Sequence, residues 1–282
     1  MCSAEKRLAE PALAAAAGAL RQAWRGRQED GTRFVFRRGR EEVRLELGTR
    51  EDRFALLILA ILAGAKVQES IAAATLKALR EQGLTHPDRL AARTPPDEAA
   101  VRTVLQESYR ALASKAQKAD ALFAAAVRVA GLYDGDPLNI HLPGQPWQET
   151  LEALRGFAHL KSRAYWFCRE MRRHGLWPDL EPQACAAVDP PVKLALWRLG
   201  YVGRNAVFLR DIPAAECLQA IERFFGGDPL PLFYQGERLC RPARPALCAE
   251  ECRVAAYCKR QEQTAPRTNT EQAFGLSTGT CG

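Results

Sequence analysis

The residues of this chain best suited to chemistry are four cysteines near the C-terminus: Cys240, Cys248, Cys252 and Cys258. They read C-x7-C-x3-C-x5-C within CRPARPALCAEECRVAAYC, so four of the nine cysteines fall in nineteen positions. Four thiolates gathered in this way suit a tetrahedral metal centre, either zinc or a [4Fe–4S] cluster. Zinc ribbons usually bring two tight pairs of ligands. Here the spacing is wide, then narrow, then medium in one continuous run, which favours a loop folded around a cubane cluster. Zinc remains the alternative, and separately buried core thiols a third reading. The other cysteines read as structural: Cys168 lies in an apolar helical pattern, Cys185 and Cys217 adjoin helices, and Cys2 and Cys281 are near the termini.

An odd number of cysteines, and an N-terminal stretch without the basic, apolar and cleavage regions of a secretion signal, point to a reducing compartment. The expected location is cytoplasmic, associated with the nucleoid. No run of eighteen apolar residues occurs, so no membrane partner is expected. The formal charge is +7 over 282 residues, with a pI near 9.0. An excess of Lys and Arg suits a polyanionic partner, although here it is spread along the chain.

The elements that must position the thiols are mostly helical. Glu5 to Trp24 is alanine-rich with helical periodicity. RFVFRRGREEVRLEL alternates apolar and polar residues on both sides of Arg38-Gly39, a β-hairpin signal. Phe54 to Ala65 is apolar on all sides and reads as a buried core helix. Further helices are expected over Gln68–Gln82, from the His86-Pro87 cap through Ala92, from Pro95, over Leu112–Leu132, from Trp147, over Lys161–Arg173, over Pro190–Leu199 and over Pro213–Phe225. There is no Walker motif, no G-x-G-x-x-G after a strand and no G-x-S-x-G. His86, His141, His159 and His174 have no metal-like spacing and read as surface or capping residues.

The order of these parts resembles the helix-hairpin-helix (HhH-GPD) DNA glycosylase superfamily, endonuclease III branch. DRFALLILAILAGAKVQESIAAATLKAL looks like the opening helix pair of its first lobe, and SKAQKADALFAAAVRV with YDGDP like that lobe's long helix. VDPPVKLALWRLGYV looks like the segment V-D-x-x-V…R-L-G that carries the superfamily aspartate, here Asp189, and the cysteine loop comes last. The resemblance covers roughly residues 50–260. It implies a mainly α, two-lobed fold with a small N-terminal β-hairpin and a C-terminal [4Fe–4S] loop. The implied domains are residues 1–49, packing with the C-terminal lobe; a six-helix lobe, 50–155; a C-terminal lobe, 156–263; and a tail, 264–282. It also implies a monomer whose partner is double-stranded DNA.

Four departures from the family pattern are visible. The usual cluster spacing is C-x6-C-x2-C-x5-C, and two spacers here are one residue longer. The family hairpin L-P-G-x-G becomes LRGFAHLK, with Gly156 present and Ala158 at the second glycine. The lysine that follows, Lys161, stands 28 positions before Asp189, a separation closer to the archaeal 8-oxoguanine glycosylase branch. The wedge motif L-S-x-Q becomes Leu62-Ala63-Gly64-Ala65, with Gln68 a turn later. The resemblance thus implies Asp189 and Lys161 as catalytic residues, and Gly156, Ala158, Gln68, Arg241, Arg244, Arg253 and Lys259 as DNA contacts.

The chemistry explains why these residue types are wanted. Breaking an N-glycosidic bond develops positive charge on the sugar, which a carboxylate beside C1′ stabilises. A neutral lysine amine can attack C1′, form a Schiff base and promote strand cleavage. Asp189 also has the position of an N-cap for the helix after it, and the two roles are compatible. Lys161 also reads as a solvated helix-start lysine, while Lys193 reads as a helix-supporting one. The expected function is a base-excision glycosylase that flips out a damaged or mispaired base, with or without AP lyase activity. The alternatives are an N-glycosidase acting on a modified nucleoside or nucleotide, and a non-catalytic nucleic-acid-binding module.

Overall fold

The computed structural model describes residues 10–25, 33–38, 41–64, 67–109, 115–185, 188–203, 206, 208–240 and 252–258. The described chain is mainly helical, with one two-stranded antiparallel hairpin. It divides into two compact units: Gln28–Cys185, and Met1–Arg27 together with Ala186–Gly282. The first unit is inserted in sequence between the two segments of the second. Among the described residues no helix is long and apolar enough to cross a membrane.

In the Gln28–Cys185 unit, β1 (Arg33–Arg38) pairs with β2 (Glu41–Glu46), with Phe34 opposite Leu45 and Phe36 opposite Val43. Those four residues are buried on one face, as a period of two requires. α2 (Arg50–Leu62) follows; its N-cap Thr49 accepts from Asp52 N at 3.3 Å, and every residue from Arg53 to Leu62 is buried. A helix apolar on all sides must be wrapped by others. The wrapping elements include α3 (Glu69–Glu81), α6 (Lys115–Leu132) and α8 (Arg163–Arg173), with α4 (Pro87–Ala92), α5 (Pro95–Ser108) and α7 (Trp147–Arg155) completing the unit. Arg53, the one charged side chain among the buried residues of α2, donates to Asp136 Oδ1 at 2.8 Å and Leu47 O at 2.7 Å.

The expected boundary at 155/156 is corrected to 185/186. The hairpin and α8 both belong to the inserted unit. Phe34 and Phe36 meet Trp166 of α8 edge-on at 6.1 and 6.3 Å between ring centroids, and α8 packs on α2. The aromatic run Tyr165-Trp166-Phe167 therefore completes this core. The break between units falls after the Gly- and Pro-containing stretch 175–182, and not at Gly156. His141 and His174 are also buried, against the surface reading. His141 Nδ1 is 2.8 Å from Thr150 Oγ1, and its ring stands edge-on to Trp177.

The other unit is built from α1 (Glu10–Arg25), α9 (Pro190–Arg198), α10 (Ala214–Phe225) and α11 (Leu230–Tyr234), followed by a π-helical turn, Gln235–Leu239. Ala16, Ala17 and Leu20 of α1 join Val192, Leu196, Ile221, Leu232 and Cys240 in one core. Tyr201 Oη donates to Leu13 O at 2.6 Å, and the rings of Trp24 and Tyr234 lie 6.2 Å apart. These contacts place a 16-residue alanine-rich helix in the same core as α9, α10 and α11.

Candidate functional site

Cys240 directly follows the π-helical turn, and its N–H donates to Gln235 O at 2.9 Å. It is buried, while Cys252 and Cys258 are half-buried. Gln235 Nε2 donates to Cys252 Sγ at 3.2 Å and to Cys240 Sγ at 3.5 Å, so those sulfurs are no farther apart than the two distances together. Burial pushes the Cys240 thiol up to about 12; Cys258 and Cys252 add to the rise, and the Gln235 hydrogen bond and Arg198 oppose it. Three thiols are thus within electrostatic reach of one another. Cys248, the fourth, lies outside the described residues, as do Arg241, Arg244 and Lys259. Among the described residues no three His, Cys, Asp or Glu side chains converge tightly enough for a single ion. Three thiols with an amide donor aimed at two of them fit the donor set of a thiolate-bound metal centre, either a tetrahedral zinc or a cubane that spreads its ligands over four irons.

Asp189 caps α9: its Oδ1 accepts from Val192 N at 3.3 Å, with the residue in extended backbone (φ −85°, ψ 167°). The capping expectation holds, and the carboxylate is half-buried. Lys193 is committed elsewhere, donating to Ile212 O at 2.7 Å, which ties α9 to the segment before α10. The cysteine segment meets α9 close to Asp189. A Cβ built on Gly236 would stand 1.8 Å from Pro191 O and 2.4 Å from Pro191 C. Only glycine permits that approach of two backbones. Arg253, between Cys252 and Cys258, is exposed.

The other expected site residues lie in the Gln28–Cys185 unit. Lys161 is exposed and sits in the turn 156–162, two residues before α8 and not at its first turn. Gly156 ends α7 at φ −67°, and its missing Cβ leaves room for the Arg128 guanidinium, which would otherwise be 2.7 Å away. Ala158 is exposed with ordinary backbone. The left-handed residues are His159 (φ 64°) and Lys161 (φ 33°). The glycine positions of the family hairpin therefore do not carry the positive φ here. Gln68 is exposed at the N-cap of α3 and makes no side-chain cap bond.

Lys118 was not expected. It is fully buried on α6; its Nζ donates to Ile61 O and stands 3.4 Å from Gly64 O. Tyr109 Oη donates to Leu62 O at 3.2 Å. The last residues of α2 are fully buried, and α2 has no basic residue in its last turn. Two side chains from elsewhere satisfy those carbonyls and face the negative end of the helix dipole. Burial, with Arg163 adding, lowers Lys118 to about 8. Burial also lowers His159, with Lys118 and Lys161 contributing. Arg163 pairs with Glu69 at 2.9 Å. Lys118, Lys161 and Arg163 make the turn 156–162 electropositive. The signal in the sequence was a lysine on the apolar stripe Lys118–Leu122–Ala125–Val129.

No protein-family profile, curated protein or solved structure matches the chain.

Proposed function

We propose that the chain is a DNA base-excision glycosylase whose carboxylate is Asp189 and whose candidate amine is Lys161. The observation that carries this reading is local to one unit. A half-buried aspartate caps α9, and the helix that delivers the first thiol crosses α9 two residues later, backbone to backbone, at Gly236. The chemistry follows from those groups. As the N-glycosidic bond breaks, its electron pair leaves with the base and positive charge builds at C1′. The Asp189 carboxylate stabilises that charge and orients the nucleophile. With water as nucleophile, C1′ gains a hydroxyl and the departing base takes up a proton. With Lys161 as nucleophile, the amine forms a Schiff base, which leads on to strand cleavage. Cys240, Cys248, Cys252 and Cys258 would hold the cluster, whose part is to brace the loop bearing Arg241, Arg244, Arg253 and Lys259 for DNA phosphates. The basic turn 156–162 supports a second phosphate contact. A small-nucleoside N-glycosidase is the second reading, favoured by His159, whose side chain stands at the left-handed turn position where a glycine leaves the backbone open.

The test is a panel of lesion-containing duplexes scored for base release and for borohydride-trapped adducts. Asp189→Asn keeps the cap and should keep duplex affinity while removing most base release. Lys161→Gln should abolish trapping. Full base release by Asp189→Asn would reduce that residue to a helix cap. Loss in Asp189→Asn with full release by Lys161→Gln would assign a monofunctional, water-using enzyme. Release from free modified nucleosides alone would favour the second reading, and no release from any substrate would reduce the fold to a binding module.

A further inference from the structure

Gln235 is 3 % exposed and grips the thiol site at two points. Its carbonyl accepts from Cys240 N at 2.9 Å, and its side-chain Nε2 donates to the sulfurs of both Cys240 and Cys252. The π-helical turn makes this double grip possible. In an α-helix, residues five apart point about 140° away from each other, at 3.6 residues per turn. An i→i+5 bond widens the turn and brings Gln235 and Cys240 onto nearly the same line. A buried amide without partners is costly, and simple packing at this position would be served by an apolar side chain. A thiol is a weak acceptor, whereas a metal-bound thiolate carries charge and accepts strongly. The amide is therefore aimed at two atoms that become good acceptors only once a metal is held.

We propose that Gln235 is an outer-sphere donor of the cysteine metal centre, fixing the Cys240 and Cys252 sulfurs and stabilising the more negatively charged, reduced state. This rests on reading the cysteine loop as a metal centre. N–H donors to cluster sulfurs draw off thiolate charge, and they are among the levers that set potential and ligand retention. Gln235 touches neither DNA nor the reacting sugar in this reading; it is a positioning residue for the centre.

The experiment compares anaerobically purified wild type, Gln235→Leu and Gln235→Glu. Iron, sulfide and zinc per chain are measured first, then midpoint potential and the rate of metal release to a chelator, with circular dichroism to verify the fold. Wild type should hold about four irons. Gln235→Leu should keep its helicity and load metal, with a lower midpoint potential and release several-fold faster. Gln235→Glu, of the same shape but with no N–H and an added negative charge, should lose metal faster still. A wild-type measurement needs no variant: side-chain 15N labelling of glutamine should replace a 14N coupling with a 15N coupling in the pulsed electron paramagnetic resonance spectrum of the reduced centre. An unchanged potential and release rate in Gln235→Leu, or no such coupling, overturns the role of Gln235 and leaves the metal centre standing. A wild type without metal overturns the metal reading itself, and Gln235's role with it. One zinc per chain moves the criterion to the release rate alone.

Discussion

Replacing Gly236 with alanine tests the backbone crossing on which the proposed site is built. The added Cβ would lie 1.8 Å from Pro191 O, 2.4 Å from Pro191 C and 2.9 Å from Pro191 Cα. Ordinary carbon–oxygen contacts begin near 3.4 Å, so the two segments must part by about 1.6 Å, roughly one carbon–carbon bond length. All three atoms are main chain, in the first turn of α9, and no rotamer change relieves the clash. The cost belongs at the upper end for overpacking, about 3 kcal/mol. At a few degrees per kcal/mol this lowers Tm by roughly 10 °C. The displacement acts on the residue two positions after Asp189 and on the turn that precedes Cys240, so metal content should fall along with stability. Differential scanning calorimetry and metal analysis on the same preparation provide the assay. Gly18→Ala is the control: Gly18 lies in α1 with nothing within 4 Å of a built Cβ, and alanine there should stabilise by about 0.5–1 kcal/mol. A Gly236→Ala protein that melts within a degree of wild type and binds full metal would refute the crossing.

Lys118→Met removes the buried amine from the Gly64 carbonyl and from the Ile61 carbonyl, which keeps its bond from Gly64 N, and should destabilise by about 1–3 kcal/mol in urea unfolding. The loss should vary with pH: folded Lys118 titrates near 8, below the roughly 10.4 of an unfolded lysine, so between these values the unfolded chain binds the extra proton. Wild-type stability relative to the variant should therefore rise from pH 8 to 10, and a constant difference would show that Lys118 does not titrate in this range. Arg53→Met leaves the half-buried Asp136 without its guanidinium partner, although Asp136 still caps the turn after it by accepting from Leu138 N. That should cost about 3–5 kcal/mol, and a melting point unchanged from wild type would show the pair to be idle.

Local periodicity made most of the elements legible before any contact was known. Alternation on either side of Arg38-Gly39 set the two strands and the face that carries Phe34, Phe36, Val43 and Leu45. The unbroken apolar run of α2 announced a helix enclosed on all sides, and the prolines at 87, 95 and 190 marked helix starts that the structure keeps. Asp189 as a cap was legible too, because a cap depends only on residues two or three positions away. The density of cysteines was legible, but its geometry was not: Gln235 meets Cys252 across seventeen positions, a contact that no local spacing announces. The boundary at 185/186 was decided by aromatic packing between the hairpin and α8, more than a hundred residues apart. Lys118 looked like a misplaced charge on an apolar stripe until docking set its amine on carbonyls more than fifty residues earlier. The left-handed backbone at His159 follows from the same kind of constraint, since His159 O sits 2.4 Å from where Gly64 would carry a Cβ. Spacings of two, three and four residues are written into a chain by the geometry of strands and helices. Which distant backbone fills the space a glycine's Cβ would need, and which carbonyls are buried, is determined only when the finished elements pack.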